Sequence, residues 1–313
     1  MQYRSLGRAG VKVSAVGVGG NQFGGVVDQE GTRAIVHRAL DVGINFFDTA
    51  DSYGNRGASE EYLGQALAGQ WQKVVLATKV QATMGEGPND GGASRYHIQY
   101  GVEASLRRLN TDHIDLYQIH NFDPGTPLDE TLRALDDLVR AGKVRYVGAS
   151  NFMAWQLARA NDLAEMRGWA SFVSVQPHYH MLERHIEREL IPYCQFAGVG
   201  ILPYFPLAGG FLSGKYERGQ APAPDTRGAR SAYVQGYLSD ANFDLLDQLR
   251  PLAAARGRSL ADLAIAWLMA QPQVASVIAG ATRPEQVEAN ARAADWALTV
   301  GELKEIRSLL EKR

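Results

Sequence analysis

"INFFDTADSYG", residues 44–54, is the stretch that decides the fold. It begins as an apolar, β-favouring run at Ile44 and Phe46 and turns polar within a few residues, at Asp48 and Tyr53. Seven further apolar runs resemble its first half. They are SAVGVGG (14–20), VVLATK (74–79), IDLYQIH (114–120), VRYVGAS (144–150), FVSVQ (172–176), VGILPY (199–204) and VASVIAG (274–280). Most are apolar on both faces, which is typical of strands in a parallel sheet covered by helices on each side.

Helical patterns fill the intervals between these runs. EGTRAIVHRALDVG (30–43) and SRYHIQYGVEASLRRLN (94–110) place apolar residues on one helical face. SEEYLGQALAG (59–69) and PLDETLRALDDLVRAGK (127–143) carry acidic residues near their starts, where the helix dipole favours them. Strand and helix alternate about eight times, which predicts an α/β fold: one (β/α)8 TIM barrel with extra helices, as a single domain over residues 1–313. A doubly wound open sheet is the competing architecture.

Two segments fall outside the repeat. QYRSLGRAGVKVS (2–14) alternates and turns through two glycines, which predicts an N-terminal β-hairpin. Residues 205–239 are rich in Gly, Pro, Arg and Ser and have no clear periodicity. A loop of that length in a compact domain is usually functional or mobile.

Composition excludes several classes of protein. The chain has 313 residues, 45% of them hydrophobic and 21% charged, which is ordinary globular usage. A net charge of −2 without single-sign blocks does not indicate a nucleic-acid or membrane surface. The single cysteine, Cys194, excludes an internal disulfide and a cysteine metal cluster. Without a signal-peptide core or a run of eighteen apolar residues, we expect a soluble cytoplasmic protein.

Two stretches imitate nucleotide-binding motifs. GGFLSGKY (209–216) nearly matches a P-loop, but Tyr216 stands where a magnesium-binding Ser or Thr is needed. GVGGNQ (17–22) follows a predicted strand, but Gln22 occupies the position of the third glycine of a dinucleotide fingerprint. We therefore reject a Rossmann site there, which also weakens the open-sheet alternative.

Polar residues follow nearly every predicted strand. They are Asn21, Gln22, Asp48, Tyr53, Lys79, His120, Asn121, Ser150, Asn151, Gln176 and Tyr204. In a barrel the carboxyl ends of the strands surround one mouth, where catalytic residues gather. The pattern therefore predicts an active site there.

Four of these residues make chemical sense together. A lysine about 4 Å from a phenol contributes roughly 4 kcal/mol at an effective dielectric of about 20, which favours the phenolate. Lys79 would thus tune Tyr53 toward a neutral pKa as a proton donor, Asp48 would balance the lysine, and His120 would orient a substrate oxygen. Taken singly, Asp48 could cap a turn, Tyr53 could be a loop aromatic and His120 could be structural. No nucleophile motif and no metal-ligand spacing is present, so the site needs a partner reagent such as a hydride.

The chain resembles the aldo-keto reductases over nearly its whole length. GINFFDTADSYG with SEEYLG is similar to the first signature of that family, LATK and LYQIH place Lys79 and His120, and three later segments also match. Those segments are GKVRYVGASNF, LPYFPLAGGFLSGKY and VIAGATRPEQVEAN. The resemblance, which extends to the subgroup that includes potassium-channel β subunits, implies a barrel that binds NADPH across its mouth. It also implies hydride transfer to an aldehyde or ketone, with Tyr53 as general acid.

The resemblance also assigns cofactor contacts, residue by residue. Ser150, Asn151 and Gln176 would hold the nicotinamide carboxamide, and Tyr204 would stack on the nicotinamide ring. Pro206, Leu207, Gly209 and Lys215 would follow the pyrophosphate, and Gln286 and Asn290 would contact the adenine end. Asn21, Gln22 and Gly280 complete the expected cofactor site.

Two departures from the family pattern bear on specificity. Many relatives carry Lys-Ser for the 2′-phosphate where this chain has Gly280 and Ala281. Arg283 lies nearby and can bind that phosphate bidentately, so we expect NADPH (NADP+) rather than NADH. We also expect no long C-terminal loop of the kind that shapes the pocket in some relatives, so residues 84–96 and 205–239 would shape the substrate pocket. Phe23, Phe122 and Phe205 would form an aromatic wall or, alternatively, have ordinary packing roles.

Two other functions remain open at this point. One is an NAD-dependent sugar or alcohol dehydrogenase that runs the same site in reverse. The other is a non-catalytic regulatory barrel that senses its cofactor, as potassium-channel β subunits do. The expected partner is a small-molecule carbonyl substrate, with no nucleic acid, membrane or metal, and either a monomer or a homo-oligomer is compatible with the sequence.

Overall fold

A two-stranded hairpin opens the chain in the computed structural model, which describes residues 1–224 and 226–312. Strand β1 (Tyr3–Ser5) pairs antiparallel with β2 (Lys12–Ser14), as predicted. Asp225 and Arg313 lie outside this description; the predicted domain 1–313 includes both, and the predicted loop 205–239 includes Asp225. The extent of the domain stays a prediction.

Eight further described strands form one parallel sheet. They are β3 (Val16–Gly19), β4 (Phe46–Asp48), β5 (Val75–Val80), β6 (Ile114–Ile119), β7 (Val144–Ser150), β8 (Ser174–Gln176), β9 (Gly200–Ile201) and β10 (Val277–Gly280). β10 lies beside β3, and the remaining strands follow in chain order to β9. Parallel bridges join Ile201 to Val274 and Tyr204 to Ile278, so the β9 and β10 sides meet. The predicted (β/α)8 barrel is confirmed, and each predicted strand contributes to it.

Helices cover the outside of the barrel, and three 3-10 segments lie among them. The helices are α1 (Gln29–Asp41), α2 (Tyr53–Ala66), α3 (Arg95–Leu109), α4 (Leu128–Arg140), α5 (Ala154–Arg167), α6 (Leu190–Ala197), α7 (Arg227–Arg230), α8 (Ala232–Gln235), α9 (Asp240–Ala254), α10 (Leu260–Met269), α11 (Pro284–Ala293) and α12 (Val300–Glu311). The 3-10 segments are Trp71–Lys73, His185–Glu187 and Ala208–Ser213. Residues 205–239 thus contain α7, α8 and a 3-10 segment, whose lengths are too short to produce the helical periodicity that the sequence pattern needs.

The barrel interior is apolar at its amino end. A compact cluster there joins the hairpin residues Leu6 and Val13 to Phe46, Ala77 and Leu116 from β4, β5 and β6. Because strand side chains alternate, the next inward-facing positions along the same strands lie between this cluster and the carboxyl ends. The carboxyl ends therefore provide the mouth at which polar side chains gather, as in other barrels of this type.

Within the part of the chain that the structure describes, none of the helices has the length and apolar character needed to cross a membrane.

Candidate active site

An ion pair lies at the centre of the mouth. The Lys79 ammonium donates to Asp48 Oδ2 at 2.7 Å and to the Thr49 carbonyl at 2.8 Å, and it lies 3.4 Å from the Tyr53 hydroxyl. The Lys79 side chain is 0% exposed and that of Asp48 is 3% exposed. The structure thus brings together Asp48, Tyr53 and Lys79, which the sequence analysis selected from two strand ends.

Strand register explains this convergence. Asp48 of β4 pairs with Ala77 of β5, and Lys79 lies two residues further on the same face. Gln118 of β6 pairs with Lys79 and also faces inward. The Gln118 and Gln176 side-chain amides donate to Asp48 Oδ1 at 3.2 and 2.7 Å, so both carboxylate oxygens are engaged. Sequence reasoning missed Gln118, whose signal was an amide side chain two residues before His120 in a mostly apolar strand.

Burial and charge act in opposite directions on Lys79 and Tyr53. Burial alone lowers the pKa of Lys79, but the Asp48 carboxylate and the Tyr53 oxygen together raise it above the ordinary lysine value. Burial raises the pKa of Tyr53, and the Lys79 charge does not offset that increase. The prediction that the pKa of Tyr53 is lowered toward neutral pH is therefore wrong. The sequence indicates the nearby cation, but it does not show how deeply the phenol is buried. Tyr53 instead stays protonated at neutral pH, as a proton donor must.

His120 lies beside Tyr53 with the rings edge to face, 5.8 Å between centroids and 77° between planes. Burial, and secondarily the charge of Lys79, lower the His120 pKa to about 3. The imidazole is therefore neutral at physiological pH. Its Nδ1 is buried and has no hydrogen-bond partner among residues 1–224 and 226–312. A neutral ring in this position is suited to hydrogen-bonding a substrate oxygen.

Asn151 and Tyr204 form the rim beside His120. The Asn151 side-chain amide donates to the His120 carbonyl at 3.0 Å, and Asn151 Oδ1 accepts from the Tyr204 hydroxyl at 3.0 Å. Asn151 adopts a left-handed backbone with φ 57°, which asparagine tolerates better than most residues. The Ser150 hydroxyl donates to the Gln176 carbonyl at 2.9 Å. Residues assigned to the nicotinamide end therefore lie together on β7, β8 and the segment after β9.

An aromatic and histidine cluster, which the sequence analysis missed, supports Tyr204. The His178 ring stacks on the Tyr204 ring with centroids 5.2 Å apart and planes 13° apart. The Tyr233 hydroxyl lies 3.0 Å from His178 Nδ1, and the Tyr237 hydroxyl donates to that of Tyr233 at 2.6 Å. His178 therefore connects Tyr204 to α8 and the residues after it. No local pattern signals this contact, because 55 positions separate His178 from Tyr233.

Lys215 and Arg227 are two of the cations on the segment after β9. Arg227 is half-buried, lies 5.5 Å from the centre of the Phe205 ring, and has no ion pair within the described ranges. Lys215 is exposed and lies 5.0 Å from the centre of the Tyr216 ring. A Cβ at Gly210 would lie 2.9 Å from the Lys215 ammonium, so glycine leaves room for this side chain. Sequence reasoning selected Lys215 but not Arg227, whose signal was an arginine in a Gly- and Pro-rich stretch.

The remaining residues expected near the pyrophosphate precede Lys215. Pro206 is buried, and Leu207 is half-buried. Gly209 has φ 66°, and a Cβ there would lie 2.4 Å from the Val234 side chain. Glycine is therefore required on both conformational and steric grounds, and the 3-10 segment can pack directly against α8.

The residues expected at the adenine end lie around β10 and α11. Gln286 Oε1 accepts from the Thr282 backbone N–H at 2.8 Å, and Asn290 is buried in α11. The Arg283 side chain is 67% exposed, and its Nε lies 3.7 Å from Glu285 Oε2. Arg283 is therefore accessible to a ligand, with one loosely held carboxylate beside it.

Asn21, Gln22 and Gly280 lie together at the ends of β3 and β10. Gln22 Nε2 is 3.5 Å from Asn21 Oδ1. A Cβ at Gly280 would lie 3.5 Å from the same Asn21 oxygen. The pairing of Gly280 with Gly19 accounts for this proximity of residues that are distant in sequence.

The three phenylalanines differ in exposure. Phe23 is fully buried in the core, which favours its packing alternative over a place in the pocket wall. Phe122 is half-buried and packs edge to face on Phe152 and Trp155. Phe205 is half-buried beside Tyr204, with ring centroids 5.5 Å apart.

Among the residues that the structure describes, no group of three or more His, Cys, Asp or Glu side chains is placed to hold a metal ion.

Comparison with known proteins identifies the family. The model of the Aldo/keto reductase family matches residues 15–311. The chain is 39% identical over 307 residues to a "Probable voltage-gated potassium channel subunit beta" of Arabidopsis thaliana, covering 94% of this chain and 92% of that protein. It is 35% identical to "L-glyceraldehyde 3-phosphate reductase" of Escherichia coli K12, with 94% and 87% covered, and 35% identical to "Versiconal hemiacetal acetate reductase" of Aspergillus parasiticus, with 87% and 86% covered. These matches support an oxidoreductase, and the chain belongs to the aldo/keto reductase family.

Proposed function

We propose that the protein reduces aldehydes or ketones to alcohols, with NADPH as hydride donor and Tyr53 as general acid. The observation that carries this proposal is the buried Lys79–Asp48 pair, held 3.4 Å from a protonated Tyr53 hydroxyl in the barrel mouth. The aldo/keto reductase family generally uses nicotinamide cofactors, and two of the relatives above are named as reductases. The first fact supports hydride transfer, and the second supports reduction as its direction.

The four residues divide the chemistry as follows. NADPH, when bound, supplies the hydride to the carbonyl carbon. Tyr53 donates its proton to the carbonyl oxygen as negative charge develops there. The Lys79 ammonium stabilises the phenolate left behind, and Asp48 keeps that ammonium charged and in place. Neutral His120 orients the carbonyl oxygen by a hydrogen bond.

The residues at the mouth fit a nicotinamide cofactor. Arg227 is a half-buried cation without an ion pair among the described residues, and an anionic phosphate would compensate its burial. Lys215 adds a second positive charge on the same segment. Tyr204 offers a flat ring held in place from one side by His178, which suits stacking on a flat ligand.

A panel of aldehydes and ketones, with NADPH oxidation followed by absorbance, tests the proposal. We expect saturable turnover for at least one carbonyl compound, dependent on both substrates. Failure of every compound, with the protein folded and binding NADPH, would contradict the reductase assignment. That result would favour a cofactor-sensing barrel, an alternative suggested by the name of the Arabidopsis relative.

Arg283→Ala tests the choice between NADPH and NADH. The exposed guanidinium is free to pair with a 2′-phosphate, which NADH lacks. We expect the variant to weaken NADPH binding about tenfold, a loss of about 1.4 kcal/mol, and to leave NADH binding within about twofold. Fluorescence titration with each cofactor measures both, and Arg292→Ala, at an exposed arginine on the helix α11 that follows Arg283, serves as the control. Equal losses for the two cofactors, or tighter NADH binding by the unmodified protein, would favour the NAD-dependent dehydrogenase instead.

A further inference from the structure

Asp51 is a second carboxyl in the stretch that opens the site, and the proposed reaction does not use it. The residue is 1% exposed. Neither of its side-chain oxygens makes a well-formed hydrogen bond within the described residues. The nearby Ser52 backbone N–H lowers the pKa of the carboxyl, but less than burial raises it. Buried polar atoms in native proteins almost always have partners, so a buried carboxyl without one requires an explanation.

A buried polar layer between the sheet and the helices surrounds Asp51. The Thr78 hydroxyl, which points outward from β5, donates to Glu60 Oε1 on α2. Arg108 of α3 donates from Nε to Glu60 Oε2 at 2.7 Å, and the Glu60 side chain is 0% exposed. The Tyr117 hydroxyl of β6 is also buried without a described partner. This layer lies on the outer face of the strands whose inner faces carry the candidate active site.

The charges in this layer do not balance if both carboxyls are ionised. Arg108 is paired with Glu60, and among the described residues no second cation of the outer face acts on Asp51. Lys79 lies in the barrel interior and is committed to Asp48, the Thr49 carbonyl and Tyr53. An unpaired buried carboxylate is costly, and such a group usually takes up a proton instead.

The pKa of Asp51 agrees with this imbalance of charge. Burial, followed by the Glu60 charge, raises the pKa of Asp51 to about 7, against smaller opposing effects of Arg108, Ser52 and Lys79. Negative charge on Asp51 in turn raises the pKa of Tyr53, as Asp48 does more strongly. The Asp51 backbone N–H donates to the Lys79 carbonyl at 3.2 Å. The carboxyl therefore belongs to the same short turn that places Tyr53.

We propose that Asp51 is a positioning residue that carries a proton in the active enzyme, and that its ionisation slows carbonyl reduction by making Tyr53 a weaker acid. The inference rests on the reductase function proposed above. According to this proposal, protonated Asp51, which lies outside the barrel interior, supports carbonyl reduction inside the barrel mouth.

The pH dependence of kcat tests the proposal, with Asp51→Asn as the variant because it keeps the shape and removes the charge. In the unmodified protein, kcat for reduction should fall by roughly three- to tenfold as pH rises through about 7, because the carboxylate that forms at Asp51 makes Tyr53 a weaker acid. Asp51→Asn should lack this decrease and keep its NADPH affinity within about twofold. Asp41→Asn, which removes a carboxylate that is 67% exposed on α1, should retain the decrease.

Infrared difference spectra provide a readout that does not depend on turnover. Between about pH 6 and about pH 8.5, the unmodified protein should lose the infrared carbonyl band of a protonated carboxyl, and Asp51→Asn should not show this band.

If Asp51→Asn does not fold, Glu60→Gln should move the decrease in kcat to lower pH, because it removes the charge that helps keep Asp51 protonated. An unchanged pH profile in the variant that folds, or a carboxyl band that persists in Asp51→Asn, would overturn the proposal. Absence of any carbonyl reduction, with the infrared band present, would instead overturn the proposed function.

Discussion

Tyr53→Phe is expected to lower kcat for carbonyl reduction by about 10²- to 10⁴-fold, the usual contribution of a general acid. The substitution removes only the hydroxyl that lies 3.4 Å from the Lys79 ammonium and leaves the ring in its edge-to-face contact with His120. NADPH affinity should therefore change by less than about twofold. Steady-state kinetics with the best carbonyl substrate and fluorescence titration with NADPH measure the two quantities separately.

Tyr100→Phe provides the matched control for this variant. It makes the same chemical change at a tyrosine that is 66% exposed on α3, and kcat should not change. Turnover by Tyr53→Phe within about threefold of the unmodified protein would show that another group donates the proton.

Lys79→Met is expected to abolish turnover and to lower the free energy of unfolding by about 3–5 kcal/mol at neutral pH. The substitution leaves the Asp48 carboxylate almost fully buried without its cation, and within the described part of the chain the Gln118 and Gln176 amides are its remaining side-chain donors. Because the folded state raises the Lys79 pKa, the contribution of the pair is present at neutral pH and is lost only as pH rises through that raised value. Chemical denaturation measures the loss.

A double variant separates two contributions to the lower free energy of unfolding: the loss of the Lys79 cation and the cost of the unpaired Asp48 carboxylate. Lys79→Met with Asp48→Asn removes both charges, so it should be less destabilised than the sum of the two single variants. Strict additivity, or a loss below about 1 kcal/mol for Lys79→Met alone, would show that the pair is not held as tightly as its geometry indicates.

Much of the fold follows from local sequence pattern. The apolar runs were long enough and the glycine and polar breaks frequent enough to locate each barrel strand to within a few residues. The meeting of Asp48 and Lys79 could also be anticipated, because parallel pairing aligns the ends of neighbouring strands and side-chain alternation then sets the face. Strand register therefore predicts that these two residues, distant in sequence, lie close together.

Other features depend on tertiary structure alone. The pKa of Tyr53 was predicted in the wrong direction, because burial depends on everything packed around the turn. The stacking of His178 on Tyr204 joins chain segments that have no common pattern. The start of α2 is also unexpected: Gly54 to Gly57 adopt positive φ angles, although two of these residues are Asn55 and Arg56. Glycines alone would not have indicated such a run.

The placement of the four proposed catalytic residues has a consequence for how the site responds to substitution. All four come from β4 to β6 and the turns that directly follow them, whereas the residues proposed to hold the cofactor lie mainly on the opposite half, from β7 to β10 and then β3. The two arcs are nevertheless joined by hydrogen bonds, since Gln176 donates to Asp48 Oδ1 and Asn151 donates to the His120 carbonyl. A substitution at either amide would therefore disturb a proposed catalytic residue together with the surface proposed to hold the cofactor.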